Sequence, residues 1–103
     1  MANANPLLAD AKETFDKCYE TMVKKNADYA GDADPFKNFL NSKVVGVSPQ
    51  RGVLVRLMDK MSRIGNLIEG KTAKVKDETV DDTIDDAINY LVILKSLRKN
   101  KIQ

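Results

Sequence analysis

Two long stretches near the C-terminal end of the chain repeat apolar residues at three- and four-residue steps, the period of an amphipathic helix. The first reads RGVLVRLMDKMSRIGNLIEG and the second reads DETVDDTIDDAINYLVILKSLRK. At about 100° per residue, the apolar side chains of each stretch gather on one side and polar side chains on the other. Two helices of this kind must bury their apolar sides together, so the sequence predicts a helical bundle.

Cap signals indicate where the first and third of four predicted helices begin, the third being the first of the two stretches above. Asn5-Pro6 opens a first helix that is expected to run to about Asn26, and Ser48-Pro49 opens a third helix that Gly70 closes. The apolar stripe of the first helix includes Cys18, which we interpret as a small core residue; a reactive role is the less favoured alternative.

The second and fourth helices are predicted from the same signals. Asp34 is expected to cap a short helix that begins at Pro35, and Asp77 is expected to cap the fourth helix, which runs to about Lys99. Between residues 87 and 94 the fourth helix is apolar nearly all round, so we expect it to be the most buried element or to lie at a subunit interface. The prediction is an all-α fold with three long helices and one short helix.

Length and composition limit what such a chain does. The 103 residues form a single domain, 1–103, and its small size makes a homo-oligomer a reasonable expectation. A net charge of +2 gives no global field for nucleic acid, so no direct nucleic-acid binding is expected. The sequence has no histidine and Cys18 as its single cysteine, which excludes an intramolecular disulfide, a cysteine zinc cage and Ser-His or Cys-His catalysis.

The N-terminal sequence MANANPLLADAKETF has neither a basic n-region nor an apolar h-region, and no apolar run approaches the length that spans a membrane. We therefore expect a cytoplasmic protein with no membrane partner.

Polar side chains run along one side of each C-terminal helix. Those of the third helix are Arg56, Asp59, Arg63 and Asn66, and those of the fourth are Glu78, Asp82, Asp85 and Asn89, with Asp86 at the edge. Guanidinium groups suit phosphate, and carboxylates suit Mg²⁺, which prefers oxygen ligands. A metal-assisted attack of water on phosphorus needs no histidine, so hydrolysis of a pyrophosphate bond is chemically available to this residue set.

Structural explanations compete with that hypothesis. Acidic residues near a helix start and basic residues near its end complement the helix dipole, and an acidic face is more often merely solvated. Salt bridges from Arg56 to Asp82 or Asp85 would explain the stripes without any ligand. Lys25, Asp28, Tyr29 and Asn38 surround the break between the first two helices, either as turn residues or as a wall of a pocket.

Four blocks carry a family resemblance: KNADY, DPFKNF, RLMDKMSRIGNL and DETVDDTIDDAINYLVIL. Over roughly residues 22 to 95 the chain resembles the nucleotide modification associated domain family of phages and prophages. That family is related to the all-α nucleotide pyrophosphatases of the MazG and dimeric dUTPase type. The resemblance implies a MazG-like bundle that forms a dimer or larger oligomer, with Mg²⁺ and a nucleoside triphosphate bound between helices.

The resemblance also implies roles for individual residues. The catalytic set it implies is Glu78, Asp82 and Asp85, and the metal set adds Asp59 and Asp86. The substrate-binding set it implies is Lys25, Asp28, Tyr29, Asn38, Arg56, Lys60, Arg63 and Asn66. Asn89 is added to this set because it lies on the polar stripe inside an otherwise apolar stretch, where a polar side chain needs a partner. One departure matters: MazG-type enzymes carry a Glu-x-x-Glu pair on the earlier helix, whereas here Asp59 is followed by Ser62 and Arg63. The missing carboxylate weakens the case for two metals and for turnover.

Three hypotheses follow. The leading one is a Mg²⁺-dependent pyrophosphohydrolase, phage-encoded and active in the host cytoplasm, that acts on a nucleoside triphosphate, modified or not. The second is a protein that sequesters a nucleotide or a cyclic-nucleotide signal without turning it over. The third is a structural helical oligomer held by salt bridges.

Overall fold

The structure is a computed structural model, which describes residues 5–30, 36–70 and 79–103, with the side chains of 28–30, 37 and 38 excepted. All of the regular secondary structure in these residues is helical. It forms α1 (Pro6–Ala30), a 3₁₀ helix (Lys37–Val45), α2 (Pro49–Ile68) and α3 (Val80–Lys99). The prediction of three long helices and one short one is confirmed.

The first helix starts where the sequence predicts. The Oδ1 atom of Asn5 accepts a hydrogen bond of 3.2 Å from the backbone N–H of Leu8, and Pro6 occupies the first helical position. The helix continues to Ala30 and so passes the predicted end at Asn26. Alanines at 27 and 30 favour helix, and Asn26 alone is too weak a breaker to stop it.

The short helix differs from its prediction. It is a 3₁₀ helix that starts at Lys37 with Phe36 as its N-cap, whereas Asp34 and Pro35 lie outside the described residues. Gly46, in the left-handed region with φ 76°, closes it. The next helix packs against it at Gly52, where a Cβ atom would stand 3.0 Å from the Ser42 side chain. A residue without a side chain is thus what lets the two segments approach.

The two C-terminal helices begin at different kinds of cap. Ser48 caps α2 as predicted, because its side chain accepts from the backbone N–H of Arg51 at 3.2 Å. The cap of α3 is Thr79, so the prediction of Asp77 is wrong; Asp77 itself lies outside the described residues. Thr79 and Asp82 form a reciprocal capping box, which satisfies two backbone donors at once and outcompetes a single carboxylate two residues earlier.

Packing of α2 on α3 makes the core. The Gln50 side chain at the start of α2 donates 3.0 Å to the Ile102 carbonyl just beyond α3, so the two helices run antiparallel. The most deeply buried side chains include Val53, Thr83 and Leu97, each no more than 2% exposed. The Thr83 hydroxyl donates to the Thr79 carbonyl at 2.9 Å, so this buried polar group is satisfied.

The expected burial of α3 between residues 87 and 94 is wrong for the single chain. Ala87 is 6% exposed, but Leu91 and Val92 remain 52% and 48% exposed.

The N-terminal helix, α1, packs on α3 and on the 3₁₀ helix. Cys18 of α1 is 4% exposed, which confirms it as a core residue.

None of the helices in the described ranges combines the length and the apolar character needed to cross a membrane.

Candidate functional site

Two carboxylates of the acidic stripe converge on one lysine. The Nζ atom of Lys17 in α1 lies 3.2 Å from Asp85 Oδ2 and 3.6 Å from Asp82 Oδ1 in α3. The hydrogen bond with Asp85, followed by its charge, raises the pKa of Lys17 above the ordinary value. In the described residues these two acids therefore pair with Lys17 and not with Arg56, the partner considered from sequence.

Asp82 has a second, structural task. Its Oδ2 accepts from the backbone N–H of Thr79 at 3.4 Å, while its own N–H donates to the Thr79 hydroxyl at 3.0 Å. The hydrogen bonds with Thr79, ahead of the nearby charge of Lys17, lower the pKa of Asp82. Part of the acidic stripe thus serves to start α3.

Asp86 faces different partners from its neighbour Asp85. Its Oδ2 lies 3.2 Å from the Nζ of Lys60 in α2, and its Oδ1 lies 3.8 Å from the Nζ of Lys25 in α1. One carboxylate therefore holds cations from two other helices. This is the point at which α1, α2 and α3 meet through side-chain charges.

Asn89 is fixed by the backbone of α1. Its Nδ2 donates 3.2 Å to the Cys18 carbonyl, and the Cys18 thiol donates 3.7 Å to the Asp85 carbonyl. Burial, ahead of the charge of Asp85, raises the pKa of the Cys18 thiol, so the group stays protonated near neutral pH. A polar residue in an apolar stretch thus has its partner in the neighbouring helix.

Beside Asp86 lies a cavity of about 740 Å³, which we call the interhelical pocket. It is lined from α1, the 3₁₀ helix, α2 and α3. Four of the sequence-predicted site residues line it together: Lys25, Arg56, Asp86 and Asn89. The structure therefore brings a lysine, an arginine, a carboxylate and an amide to one opening.

The pocket also contains residues that sequence reasoning did not assign. Among the residues that the structure describes, the rings that line it are those of Phe36, Phe39 and Tyr90, together with the amides of Asn26 and Asn41. Helical spacing is the only signal that the sequence carries for Phe39, Tyr90, Asn26 and Asn41. They come together through tertiary packing, because the 3₁₀ helix packs against α1 and α2, and these two helices pack on α3.

None of the other predicted site residues whose side chains are described lines the pocket. Asp59 and Asn66 are exposed on α2, and Lys60 is paired with the pocket residue Asp86. Arg63 is half-buried, with its Nε and Nη2 atoms shielded from solvent. Glu78 and the side chains of Asp28, Tyr29 and Asn38 lie outside what the structure describes.

The carboxylates of the acidic stripe are chemically suited to bind Mg²⁺, but no three of those that the structure describes are arranged around a common point. Carboxylate oxygens are suitable ligands. Within the described ranges, however, no group of three or more acidic, cysteine or histidine side chains is placed to hold a metal ion. Asp82 and Asp85 share a cation in Lys17, and they are the nearest approach to such a site.

No family model, curated protein or solved structure matches the chain. Its function is therefore inferred from the residues and their geometry.

Proposed function

We propose that the chain binds a nucleotide in the interhelical pocket. The observation that carries the proposal is the presence of two cationic side chains, Lys25 and Arg56, in the same cavity as three aromatic rings. Phosphates need cationic donors, and a base needs aromatic faces on which to stack. A volume of about 740 Å³ is in the range of small-molecule sites.

The two cations suit a phosphate chain in different ways. Arg56 is exposed and offers a planar fork of donors, which matches a phosphate through two parallel hydrogen bonds. Lys25 is held only loosely, since its side chain is 56% exposed and its Nζ lies 3.8 Å from Asp86. An exposed pair of this length contributes little stability, so Lys25 can exchange Asp86 for a phosphate oxygen.

The amides supply the polar contacts that a base or a sugar requires. Asn26 and Asn41 line the pocket and each carries both donors and an acceptor. The Asn89 amide nitrogen is already engaged by the Cys18 carbonyl, so Asn89 is held in one orientation. The walls of the pocket therefore combine stacking surfaces with hydrogen-bonding groups.

The resemblance supports the same assignment, because Lys25, Arg56 and Asn89 lie in three of the four motif blocks. It extends the proposal to a MazG-like bundle that assembles as a homo-oligomer and to a phage origin with action in the host cytoplasm. The ligand class is a nucleotide or a cyclic-nucleotide signal.

The contacts of the acidic residues favour binding of the nucleotide without its hydrolysis. Asp82, Asp85 and Asp86 are each paired with a lysine, and such pairs must open before the carboxylates can ligate a cation. The described acids also form no three-residue metal group. A sequestering protein needs the pocket and its cations but no assembled metal site.

Mg²⁺-dependent pyrophosphohydrolysis of a nucleoside triphosphate is the second candidate. One observation favours it: Asp82 and Asp85 both reach a single ammonium group, so they are near enough to share a metal ion instead. Glu78 stands four residues before Asp82 and would be the third ligand. Mg²⁺, when bound, would neutralise phosphate charge there. For hydrolysis, Lys17 must first release Asp82 and Asp85, while Arg56 and Lys25 bind the phosphates.

A nucleotide panel that includes cyclic dinucleotides separates the candidates. The protein is incubated with each nucleotide, with and without Mg²⁺; the melting temperature is measured and the ligand is recovered for mass spectrometry. A raised melting temperature with intact ligand supports sequestration. Conversion of a triphosphate to monophosphate and pyrophosphate only with Mg²⁺ supports hydrolysis. If no nucleotide raises the melting temperature, the structural oligomer is the correct hypothesis.

Variants assign the effect to the pocket. Arg56→Ala should weaken binding of the active nucleotide about tenfold or more, since it removes a charge-assisted contact. Arg51→Ala is the matched control, because Arg51 is exposed on the same helix and does not line the pocket. Asp82→Asn should abolish Mg²⁺-dependent hydrolysis and leave binding of the intact ligand in place. Equal losses in Arg56→Ala and Arg51→Ala would argue against this pocket.

A further inference from the structure

The side of the α2–α3 pair that faces away from the interhelical pocket is apolar and exposed. Its large side chains are between 36% and 70% exposed. We call this the hairpin face, and it consists of Leu54, Met58, Met61, Ile68, Ile84 and Leu91. On each helix these residues recur at steps of three, four or seven, so they form one stripe. Arg56 of the pocket is about 200° around α2 from both Leu54 and Met58, which places the two surfaces on different sides.

The hairpin face is large enough to form an interface. With about half of each side chain exposed, it presents on the order of 600 Å² of apolar surface per copy, at the upper limit for a monomer. Two copies placed face to face would bury on the order of 1,200 Å², which reaches the size of a specific protein interface. An occupant of matching shape is therefore needed to remove this surface from water.

The charges along α3 indicate that this occupant is a second copy of the chain. Asp81, Ile88 and Lys95 are spaced by seven residues, and Ile84 and Leu91 fall between them on the same stripe. The stripe is acidic at one end, apolar in the middle and basic at the other end. Asp81 and Lys95 are both exposed, so each can accept a partner from outside the chain.

Such a stripe is complementary to itself when two copies run antiparallel. A two-fold axis at Ile88 sets Asp81 of one chain against Lys95 of the other, and this pair occurs twice. The same axis brings Ile84 to within one residue of the level of Leu91 of the second copy, so the two apolar side chains can pack together. A parallel arrangement would instead oppose like charges, which is destabilising.

We infer that the chain forms a two-fold dimer through the hairpin face, with antiparallel α3 helices crossing at Ile88 and Asp81–Lys95 pairs at both ends. The inference gives a surface and a register to the homo-oligomer, and it does not depend on nucleotide binding. Two pockets would lie on the outer sides of the resulting four-helix core.

Analytical ultracentrifugation of the full chain tests the surface. We expect a dimer whose dissociation constant rises about tenfold or more in Leu91→Glu, because a carboxylate would be buried against apolar side chains. Tyr19→Glu is the matched control, since Tyr19 is a 70% exposed side chain on α1, away from this face. A monomeric wild type, or a dimer that only Tyr19→Glu dissociates, would overturn the inference. Circular dichroism checks that each variant stays helical.

Charge reversal tests the register. Asp81→Lys and Lys95→Asp should each weaken the dimer by roughly three- to tenfold, because each opposes like charges at both ends. The double variant restores the pairs in reverse and should return most of the affinity. If the double variant is as weak as the worse single variant, Asp81 does not face Lys95 and the proposed axis is wrong.

Discussion

The carboxylate of Asp86 lies 3.2 Å from the ammonium group of Lys60, and the two residues tie α3 to α2 at the rim of the interhelical pocket. Both side chains are partly shielded, at 30% and 26% exposed. Because the same carboxylate also holds Lys25 at 3.8 Å, it limits how much positive charge the pocket offers to an anion. The charge of Asp86 is therefore the natural place to test what the pocket binds.

Asp86→Asn should increase the affinity for a nucleotide in the absence of Mg²⁺ by about threefold or more, since both lysines lose their competing anion. Titration calorimetry with the nucleotide found in the panel measures the change. Asp10→Asn, an exposed position on α1, makes the same change in net charge away from the pocket and should have little effect. A weaker affinity in Asp86→Asn would mean that Asp86 contacts the ligand or its metal.

The bond between Asn89 and the Cys18 carbonyl should stabilise the docking of α1 on α3. Asn89→Ala should lower the free energy of unfolding by about 0.5–1.5 kcal/mol, because it removes a part-buried hydrogen bond that joins the two helices. Urea denaturation measures this loss. Asn100→Ala removes a bond within the end of α3 only, 2.8 Å to Ser96, and should cost less. An equal cost for both variants would show that the Asn89 bond adds nothing between helices.

The capping box at the start of α3 predicts a selective requirement for a hydroxyl. Thr79→Ala should cost about 1 kcal/mol of stability, since the N–H of Asp82 loses its acceptor. Thr79→Ser keeps the hydroxyl and should stay close to the wild type. Thermal unfolding followed by circular dichroism distinguishes the two. If both variants lose the same stability, the Thr79 methyl group and not its hydroxyl would be what matters.

Two valines on one helix test the core. Val53 is 2% exposed and Val55 is 60% exposed. Val53→Ala should destabilise the chain by roughly 1–3 kcal/mol through lost burial and a residual cavity, whereas Val55→Ala should change stability by less than about 0.5 kcal/mol. Denaturant midpoints of the two variants provide the comparison. Similar midpoints would contradict the orientation of α2.

The lowered pKa of Asp82 predicts a pH dependence. A carboxylate with a lowered pKa stabilises the fold fully above its ordinary value of 3.8 and loses that contribution as the pH falls through the lowered value. The melting temperature of Asp82→Asn should therefore lie below that of the wild type at pH 7, and the gap should close as the pH falls well below 3.8. A gap that stays constant down to strong acid would show that the Asp82 charge is not responsible.

Local signals predicted most of the fold. Ser48-Pro49 and Asn5-Pro6 each start a helix, because a cap and a proline satisfy or remove the same orphan backbone donors. The choice between Asp77 and Thr79 failed, since both are good caps and only the reciprocal bond with Asp82 separates them. The exposure of Leu91 could not be predicted either. An apolar stretch looks the same in the sequence whether it is buried inside a single chain or between subunits.

The site was less predictable, because helical spacing fixes the face of a residue and not its partner. Arg56 and Asp86 were predicted on the polar sides of two different helices, and the structure places both in the lining of one pocket. Lys17 carried no signal of its own, yet it holds Asp82 and Asp85, because the position of α1 along α3 depends on tertiary packing. Phe39 lies in the pocket wall on a 3₁₀ helix, whereas the sequence predicted only that a short helix begins nearby, so the position of this ring did not follow from local signals.

Among the described residues, α1 packs on α3 and the 3₁₀ helix but makes no packing contact with α2. The shared carboxylate of Asp86 spans the gap between α1 and α2. The position of α1 is set on α3, by the buried Cys18 side chain and by the bonds of Asn89 and Lys17. The width of the pocket is therefore decided at the contact between α1 and α3, and a change in the angle between these two helices would alter it without moving the packing of α2 on α3 around Val53.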